Sequence, residues 1–122
     1  MHKVKRTERG WPGHFICADQ CIFRRNTLLE CGDTRIVVST VGGMRDSNDT
    51  YTGIAGHFAE TLCFHAERVS GLYWDADVSR QLSVGCGRTG EGCDVDSDML
   101  ANNAHEATVA ELTKLLKAGE VL

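Results

Sequence analysis

Residues 97–119, SDMLANNAHEATVAELTKLLKAG, decide the fold class because they carry the clearest periodic pattern in the chain. Ser97 can cap a helix, Asp98 suits its positive end, and Gly119 can end it. Side chains suited to packing recur at helical spacing on one face: Ala101, Ala104, His105, Thr108, Val109, Leu112, Leu115 and Leu116. The pattern predicts a long amphipathic C-terminal helix.

Upstream of this segment, short β-prone runs alternate with turns. Residues 14–18 and 21–25 flank a polar Asp-Gln pair and predict a tight hairpin, whose second strand continues toward Cys31. Residues 35–41, RIVVSTV, follow a Gly-Asp turn and are rich in β-branched side chains, which suit a packed sheet. Consecutive strands joined by short turns predict antiparallel pairing.

The chain from residue 42 to the helix repeats this alternation with longer gaps. Residues 60–66 and 72–78 each alternate apolar and polar side chains and predict a second hairpin. In the second of these runs, one face carries Leu72, Trp74, Ala76 and Val78. A further short strand is predicted over residues 81–84, where the sheet ends. The glycine-containing segments 42–56 and 85–93 lack periodicity and predict loops.

Together these elements predict one α+β domain over residues 1–122, with a mostly antiparallel meander sheet and a C-terminal amphipathic helix packed on one face. Residues 1–12 are predicted as a flexible N-terminal arm. The sheet face opposite the helix also carries apolar side chains, and large apolar patches seldom stay exposed on monomers. These side chains predict a homo-oligomer: Val37, Val41, Tyr73 and Phe15.

Composition and charge argue against several classes of function. The chain has 122 residues, of which 42% are hydrophobic and 25% are charged, as in an ordinary globular domain. A formal net charge of -4 argues against a general nucleic-acid binder, whose surface is normally basic. No apolar stretch approaches a membrane span, and no signal-like apolar run follows the basic N-terminus. We therefore expect a cytoplasmic protein.

Six cysteines raise the question of metal ions and disulfides. In a reducing cytoplasm we interpret them as thiols with mainly structural roles, and we expect no cofactor. Cys17 and Cys21 flank the predicted hairpin turn and would point to opposite faces, which does not suit zinc. Cys86 and Cys93 span a glycine-rich loop and could close on a metal ion or a disulfide.

Two pairs of side chains could carry chemistry, and each also has a plain structural interpretation. Cys63 and His65 share a strand face, but a buried thiol beside a surface histidine is more common than a nucleophilic pair. Asp75 and Asp77 also share a face, as alternating acids do on many solvated strands. The sequence has no glycine-rich phosphate loop, dinucleotide-binding fingerprint or nucleophile elbow, which weighs against catalysis.

Polar residues near the ends of the predicted elements are better candidates for a binding site, because binding residues gather there. Arg25 ends the first hairpin, and His57 ends the long loop. Asparagine is a poor helix former, so Asn103 and the neighbouring His105 predict either a ligand contact or hydrogen bonds within the fold. Arg88 lies in the second loop, and the planar fork of arginine suits phosphate.

Five stretches carry a resemblance to a known group of proteins. They are FRRNTLLE (residues 23–30), RIVVSTVG (35–42), ETLCF (60–64), YWDADV (73–78) and AxxxHExxVxEL on the predicted helix (101–112). The series resembles small proteins of phages and prophages. It is similar to the family of Thoeris anti-defence sponges, which sequester immune signals of the cyclic ADP-ribose type. The resemblance covers about residues 23–116.

The resemblance implies a homo-oligomer in the host bacterial cytosol, with the ligand held between subunits by arginines, an asparagine and an aromatic ring. Arg25 and Asn103 match positions that would bind the ligand. Just before the ETLCF strand the family pattern leads us to expect an arginine, where this chain has His57, a weaker partner for an anion. The loop GRTGEG, residues 87–92, has no counterpart in the pattern.

We therefore expect a non-catalytic binding protein that sequesters a small nucleotide-derived signal in phage counter-defence. The expected ligand-binding residues are Arg25, His57, Arg88, Asn103 and His105. One alternative is an inhibitor of a host defence complex that acts through protein contacts, as anti-CRISPR proteins do. The other alternative is a small hydrolase that uses a set drawn from His57, Glu60, Asp75 and Asp77.

Overall fold

The computed structural model describes residues 2–10, 21–45, 51–52, 57–91 and 97–122, and for residues 44–45, 51–52, 57, 90–91 and 97 it describes the backbone only. Within these residues the chain forms seven strands and one helix. Their bounds are β1 Lys5–Arg9, β2 Cys21–Cys31, β3 Thr34–Arg45, β4 Tyr51–Thr52, β5 His57–Val69, β6 Tyr73–Gln81, β7 Gly87–Glu91 and α1 Ser97–Lys117.

All seven strands belong to one sheet, and every pairing in it is antiparallel. The strand order is β1-β2-β3-β5-β6, while β4 pairs with β3 and β7 pairs with β5. The helix α1 packs on one face of the sheet. The predicted α+β class, an antiparallel sheet with a single C-terminal helix, is confirmed.

Two of the predicted hairpin turns are confirmed, and glycine explains both. β2 and β3 meet at a turn in which Gly32 has a φ of 59°. β5 and β6 meet at Ser70 and Gly71, whose φ values are 53° and 68°. Two successive positive φ values are typical of the type I′ turn, whose twist matches that of the flanking strands.

The predicted inner face of the helix forms the main core. Its buried residues are Ala101, His105, Val109, Leu112 and Leu116. The apolar side chains of this face pack on residues of β2, β3 and β5: Leu29, Ile36, Val38 and Cys63. Burial of these side chains between two layers is the main source of stability in a domain of this size.

The helix ends at the predicted glycine. Gly119 has a φ of 78° and donates its N–H to the carbonyl oxygen of Leu116 at 3.0 Å, while Glu120 donates to Leu115 at 3.0 Å. This pair of bonds is the Schellman arrangement, which satisfies carbonyl groups at a helix end. It directs residues 120–122 back toward the turn between β2 and β3, where they line a cleft described below.

The face opposite α1 is closed by curvature of the sheet. Asn26, Val37 and Val41 are buried on this face. The guanidinium of Arg9 on β1 donates to Asn26 Oδ1 at 2.7 Å and to the carbonyl oxygen of Trp74 on β6. Because β1 and β6 are the two ends of the main strand order, this contact shows that the sheet curls until its edge strands approach each other.

Two of the four apolar side chains that predicted a homo-oligomer are therefore covered within one chain. Val37 and Val41 are fully buried, and Tyr73 is 42% exposed. Phe15 lies outside the described residues. The homo-oligomer stays a prediction, with a smaller apolar surface behind it than the sequence indicated.

Only half of the predicted apolar face of residues 72–78 is packed. Trp74 and Ala76 contact a small cluster formed by Leu28, Val37 and Ala66. Leu72 and Val78 are instead 78% and 68% exposed. Leu72 lies in the turn, and the pairing of β5 with β6 shifts register beyond Ala76, so the alternation of the sequence does not continue through the strand.

Three segments predicted as irregular contain strands. Residues 1–12, predicted as an arm, contain β1, which pairs with β2. Segment 42–56 begins with the last residues of β3 and contains β4, and segment 85–93 contains β7, which pairs with β5. Conversely, β6 ends at Gln81, so the strand predicted over residues 81–84 is wrong.

In segments 42–56 and 85–93 the glycines predicted loops, whereas in β3 glycine permits close packing between strands. A Cβ added at Gly42 would lie 2.7 Å from the carbonyl oxygen of Phe58, so glycine is required where β3 and β5 approach. Gly43 has a φ of 62°, which glycine adopts without strain. In β7, main-chain bonds to β5 supply the order that the side-chain pattern does not show.

The predicted first hairpin can be compared only in part. Its second strand is β2, which extends to Cys31 as expected, whereas residues 14–18 lie outside the described residues. Within the part of the chain that the structure describes, no helix combines the length and the apolar character needed to cross a membrane.

Candidate functional site

A buried histidine lies between α1 and the sheet. His105 is fully buried, with Nε2 at 2.7 Å from Thr27 Oγ1 on β2 and Nδ1 at 2.7 Å from Thr40 Oγ1 on β3. Thr40 Oγ1 lies 2.7 Å from Thr61 Oγ1, directly opposite on β5. Helical periodicity aims His105 at the sheet, and the register of the strands brings the threonine hydroxyls to it.

The donors and acceptors in this chain of hydrogen bonds can be assigned. Thr27 donates to Glu8 Oε2 at 2.7 Å, so toward His105 its oxygen must accept, and Nε2 carries the proton. A neutral imidazole then has an acceptor at Nδ1, so Thr40 donates to it and accepts from Thr61. The hydrogen bonds therefore run in one direction, from Thr61 to Glu8.

At its outer end this chain meets a group of opposite charges. Arg25 lies 2.7 Å from Glu8 Oε1 and 2.9 Å from Glu106 Oε2, and it also donates to Asn102 Oδ1 at 2.9 Å. Arg6 donates to both oxygens of Glu106, at 3.1 and 2.6 Å. We call the whole set the polar network: Arg6, Glu8, Arg25, Thr27, Thr40, Thr61, His105 and Glu106.

The environment of the polar network favours a neutral histidine and ionised carboxylates. Burial, followed by the nearby Arg25 charge, lowers the pKa of His105 to about 4. The hydrogen bond from Arg6 is the main cause that lowers the pKa of Glu106 to about 2. Burial opposes ionisation of Glu8, but hydrogen bonds from Thr27 and Arg25 outweigh it and hold its pKa below the usual value.

The polar network is therefore satisfied within the chain. Two guanidinium groups face two carboxylates, and both ring nitrogens of His105 have a threonine partner. Neither nitrogen is left to take a proton from a bound substrate. This arrangement fixes α1 on the sheet, because an alternative packing would leave buried polar groups without partners.

A second region, at the end of the sheet where the β2–β3 turn meets the last turn of α1, is open. It encloses a cavity of about 400 Å³, which we call the Trp74 cleft. Its lining side chains include His2, Asp33, Arg35, His65, Trp74, Arg80 and Glu120. A cavity of this size is typical of sites for small molecules.

An aromatic ring and guanidinium groups meet in the Trp74 cleft. The Arg35 guanidinium lies 4.2 Å from the centroid of the Trp74 ring, and that of Arg68 lies 5.4 Å from it. Both distances fit cation–π contacts. Arg35 Nε is also held at 3.1 Å from Glu30 Oε2, which orients the guanidinium over the ring.

Arg80 and His65 line the same cleft from β6 and β5. Among the described residues the exposed Arg80 guanidinium has no hydrogen bond and no ion pair, although Asp77 is close enough to sense its charge. His65 Nε2 donates to the backbone oxygen of Leu122 at 2.8 Å, which fixes its ring at the cleft wall. A second cavity of about 390 Å³ shares Arg80, His65 and Leu122 with the Trp74 cleft and extends it.

The structure distributes the expected ligand-binding residues over several places. Arg25 and His105 belong to the polar network, whereas Asn103 is exposed on the helix. Arg88 donates from Nε to Glu60 Oε2 at 2.9 Å. His57 begins β5 opposite Glu91, and its side chain lies outside the described part of the chain.

Two of these residues project from opposite faces of the sheet. Arg25 is in register with Thr40, which is in register with Thr61, whereas Arg88 is in register with the neighbouring residue Glu60. Side chains one position apart on a strand point to opposite faces. The five expected residues therefore do not form one cleft within a single chain, and their role in ligand binding stays a prediction.

The residues of the Trp74 cleft were not predicted as a site. Trp74 was assigned to a packed strand face, His65 was considered only as a partner of Cys63, and Arg35 and Arg80 look like ordinary charged positions in their strands. These residues lie on different strands, and they come together because the chain turns at Gly32 and at Gly71 and reverses again after Gly119. The local sequence signals for this cleft were two arginines. Arg35 stands directly before a β-branched run, and Arg80 lies near the end of an amphipathic strand.

The metal and catalytic constellations have little support among the residues that the structure describes. There, no group of three or more His, Cys, Asp or Glu side chains could hold a metal ion. Asp77 accepts hydrogen bonds from Ser79, and Glu60 is paired with Arg88. The side chain of His57, the histidine of the hydrolase alternative, lies outside the described residues, so that alternative stays a hypothesis.

Comparisons with protein-family models, with curated proteins and with solved structures found no match. The resemblance to the Thoeris anti-defence family therefore rests on the five quoted stretches.

Proposed function

We propose that the protein binds a small nucleotide-like ligand in the Trp74 cleft and acts by sequestering it. The observation that carries the proposal is the Arg35 guanidinium 4.2 Å from the centroid of the Trp74 ring, together with Arg80, which has no ion pair with a described residue, at a cavity of about 400 Å³. A nucleotide joins a planar ring to an anionic phosphate, and these are the two groups that stacking and a guanidinium recognise. The sequence resemblance supplies the biological setting, phage counter-defence.

The three cleft residues would have separate roles. The indole of Trp74, which lines the cavity, would contact the base, and the Arg35 guanidinium over its ring would extend that planar surface. Arg80 would pair with phosphate, because among the described residues no carboxylate forms an ion pair with its guanidinium. His65, already donating from Nε2 to Leu122, would form part of the wall rather than act as a base.

A screen of nucleotides tests the proposal directly. Thermal unfolding would be followed with AMP, ADP, NAD⁺, cyclic ADP-ribose and cyclic dinucleotides, because a ligand that binds only the folded state raises its stability. We expect at least one of these to raise the melting temperature. No shift with any compound at millimolar concentration would contradict the proposal.

Matched variants then locate the site by calorimetric titration. Trp74→Leu and Arg80→Ala should each weaken binding about ten- to hundredfold, the range for losing a charge-assisted hydrogen bond or a stacked aromatic. Arg24→Ala is the control, since Arg24 is also exposed and is outside the cleft lining. Equal weakening by the control would place the binding elsewhere.

Sequestration also predicts that the ligand is recovered unchanged. The protein would be incubated overnight with the nucleotide, separated from the unbound nucleotide and denatured by heat. Chromatography should then recover the intact nucleotide, at a molar ratio to protein that approaches the number of binding sites per chain. Conversion to a product, in amounts exceeding the protein, would favour the hydrolase alternative instead.

A further inference from the structure

Two cysteines lie next to each other where the connection between β6 and β7 packs on β5. Cys63 is fully buried, and Cys86 is half-buried in the connection between β6 and β7. The backbone N–H of Cys63 donates to Cys86 Sγ at 3.4 Å, which places the sulfur of Cys86 directly against the backbone of Cys63. Both cysteines are free in this structure.

A glycine allows this approach. Thr61 pairs with Gly87, so Cys86 lies just beyond the last pair of β5 with β7 and diagonal to Cys63. A Cβ added at Gly85, which has a φ of 77°, would lie 3.0 Å from Cys63 Sγ and 2.9 Å from a methyl carbon of Thr108. The connection can therefore press against Cys63 only because residue 85 has no side chain.

The two sulfurs have different surroundings. Cys86 lines a cavity of about 270 Å³ between β7 and α1, which gives small molecules access to it. Its sulfur accepts from Cys63 N–H and from Gln81 Nε2 at 3.7 Å, and its own S–H points to the carbonyl oxygen of Leu82 at 3.3 Å. Burial, with the neighbouring Cys86 as a second cause, raises the pKa of the Cys63 thiol. Cys86 is thus the accessible sulfur and Cys63 the enclosed one.

We infer that Cys63 and Cys86 form a dithiol modification site, which a small hydroperoxide converts to an intrachain disulfide. The inference rests on the approach of Cys86 Sγ to the backbone nitrogen of Cys63 at 3.4 Å, the access to Cys86 through the cavity and the glycine that permits the approach. It is independent of the proposed nucleotide site.

The reaction balances in two steps. The Cys86 thiol loses its proton and attacks the distal oxygen of the hydroperoxide, the O–O bond breaks, and the leaving oxygen takes up that proton as an alcohol (water, from hydrogen peroxide), so Cys86 becomes a sulfenic acid. The Cys63 sulfur then attacks Cys86 Sγ, the S–O bond breaks, and hydroxide leaves with the Cys63 proton as water. Two thiols are oxidised by two electrons, and the peroxide is reduced.

Hydrogen peroxide treatment of the reduced full-length protein tests this inference, followed by alkylation under denaturing conditions and peptide mass spectrometry. We expect a peptide pair joined through Cys63 and Cys86, lighter than its separate thiol peptides by the mass of two hydrogen atoms, and cleaved by dithiothreitol. Cys86→Ser should abolish this linked pair and leave Cys63 open to alkylation.

Cys31→Ser is the matched control, because Cys31 is a half-buried thiol whose sulfur contacts a carbonyl oxygen, that of Leu116, instead of another sulfur. It should leave the Cys63–Cys86 link unchanged. The serine is placed at Cys86 because this residue is half-buried, so the variant should fold. A Cys63→Ser variant would put a hydroxyl group in the core and is not needed for the test. A dominant link from Cys86 to Cys93 would overturn the inference. It would also be overturned if all six cysteines could still be alkylated after a peroxide treatment strong enough to oxidise the exposed methionines.

Discussion

The polar network and the Trp74 cleft both contain arginine side chains, but they use them differently. In the polar network, Arg6 and Arg25 contact the carboxylates of Glu8 and Glu106. In the Trp74 cleft, Arg80 has no ion pair with any described residue. An arginine already paired within the chain contributes to stability, whereas an unpaired one at a cavity retains its capacity to bind an anion.

This difference gives a rule for separating the two regions experimentally. Substitutions in the polar network should change the free energy of unfolding and leave ligand affinity nearly unchanged. Substitutions in the Trp74 cleft should do the reverse. A variant that altered both quantities strongly would show that the two regions are coupled.

The largest expected effect comes from removing the imidazole at the centre of the polar network. His105→Ala should lower the free energy of unfolding by about 3–4 kcal/mol, because it leaves a buried cavity and removes a partner from two threonine hydroxyls. Urea unfolding at pH 7 measures this difference. The control is Asn103→Ala on the exposed side of the same helix, which we expect to stay within about 0.5 kcal/mol of the parent.

Equal, small changes in both variants would contradict the structural role assigned to His105. They would also strengthen the prediction from the sequence that His105 serves a ligand instead of the fold.

Acid should destabilise the protein through the same residue. His105 has a pKa of about 4 when folded and an ordinary value of 6.5, so the unfolded chain binds its proton first as the pH falls. This contribution to stability is complete above pH 6.5 and is lost between pH 6.5 and 4. The free energy of unfolding should fall by about 2 kcal/mol between pH 7 and pH 5.

His105→Gln removes the titrating group and serves as the control for this pH dependence. Its stability should vary little from pH 7 to pH 5. Below that range, Glu8 and Glu106, whose pKa values are lowered in the fold, should destabilise parent and variant alike as they are protonated. A parent protein equally stable at pH 7 and pH 5 would rule out a buried neutral histidine.

The sequence predicted the elements that are determined by residues close to each other in the chain. The helix follows from the spacing of residues such as Ala101, Val109 and Leu116, and its end follows from Gly119, because both depend on neighbours within a few positions. The hairpins at Gly32 and Gly71 were predicted for the same reason. The α+β class followed from these elements.

The sequence did not predict features that depend on distant partners. β7 has no periodic pattern of its own and is ordered by pairing with β5, and β1 is a run of mostly charged residues that becomes a strand only beside β2. The Trp74 cleft joins residues from β3, β5 and β6, which share no motif. Arg25 and His105 were singled out, but Glu8, which accepts from Arg25 and from Thr27, lies in the segment predicted as a flexible arm.

The comparison is tested most directly by titrating cyclic ADP-ribose, or the strongest binder of the nucleotide screen, into the parent, Arg80→Ala and Arg25→Ala proteins while their unfolding is measured in parallel. We predict that Arg80→Ala weakens binding at least about tenfold and leaves stability within about 0.5 kcal/mol. Arg25→Ala should keep the affinity of the parent and lose about 1 kcal/mol of stability, as expected for partly exposed ion pairs. Loss of binding in Arg25→Ala together with full binding in Arg80→Ala would contradict the account and return the site to the residues that the sequence indicated.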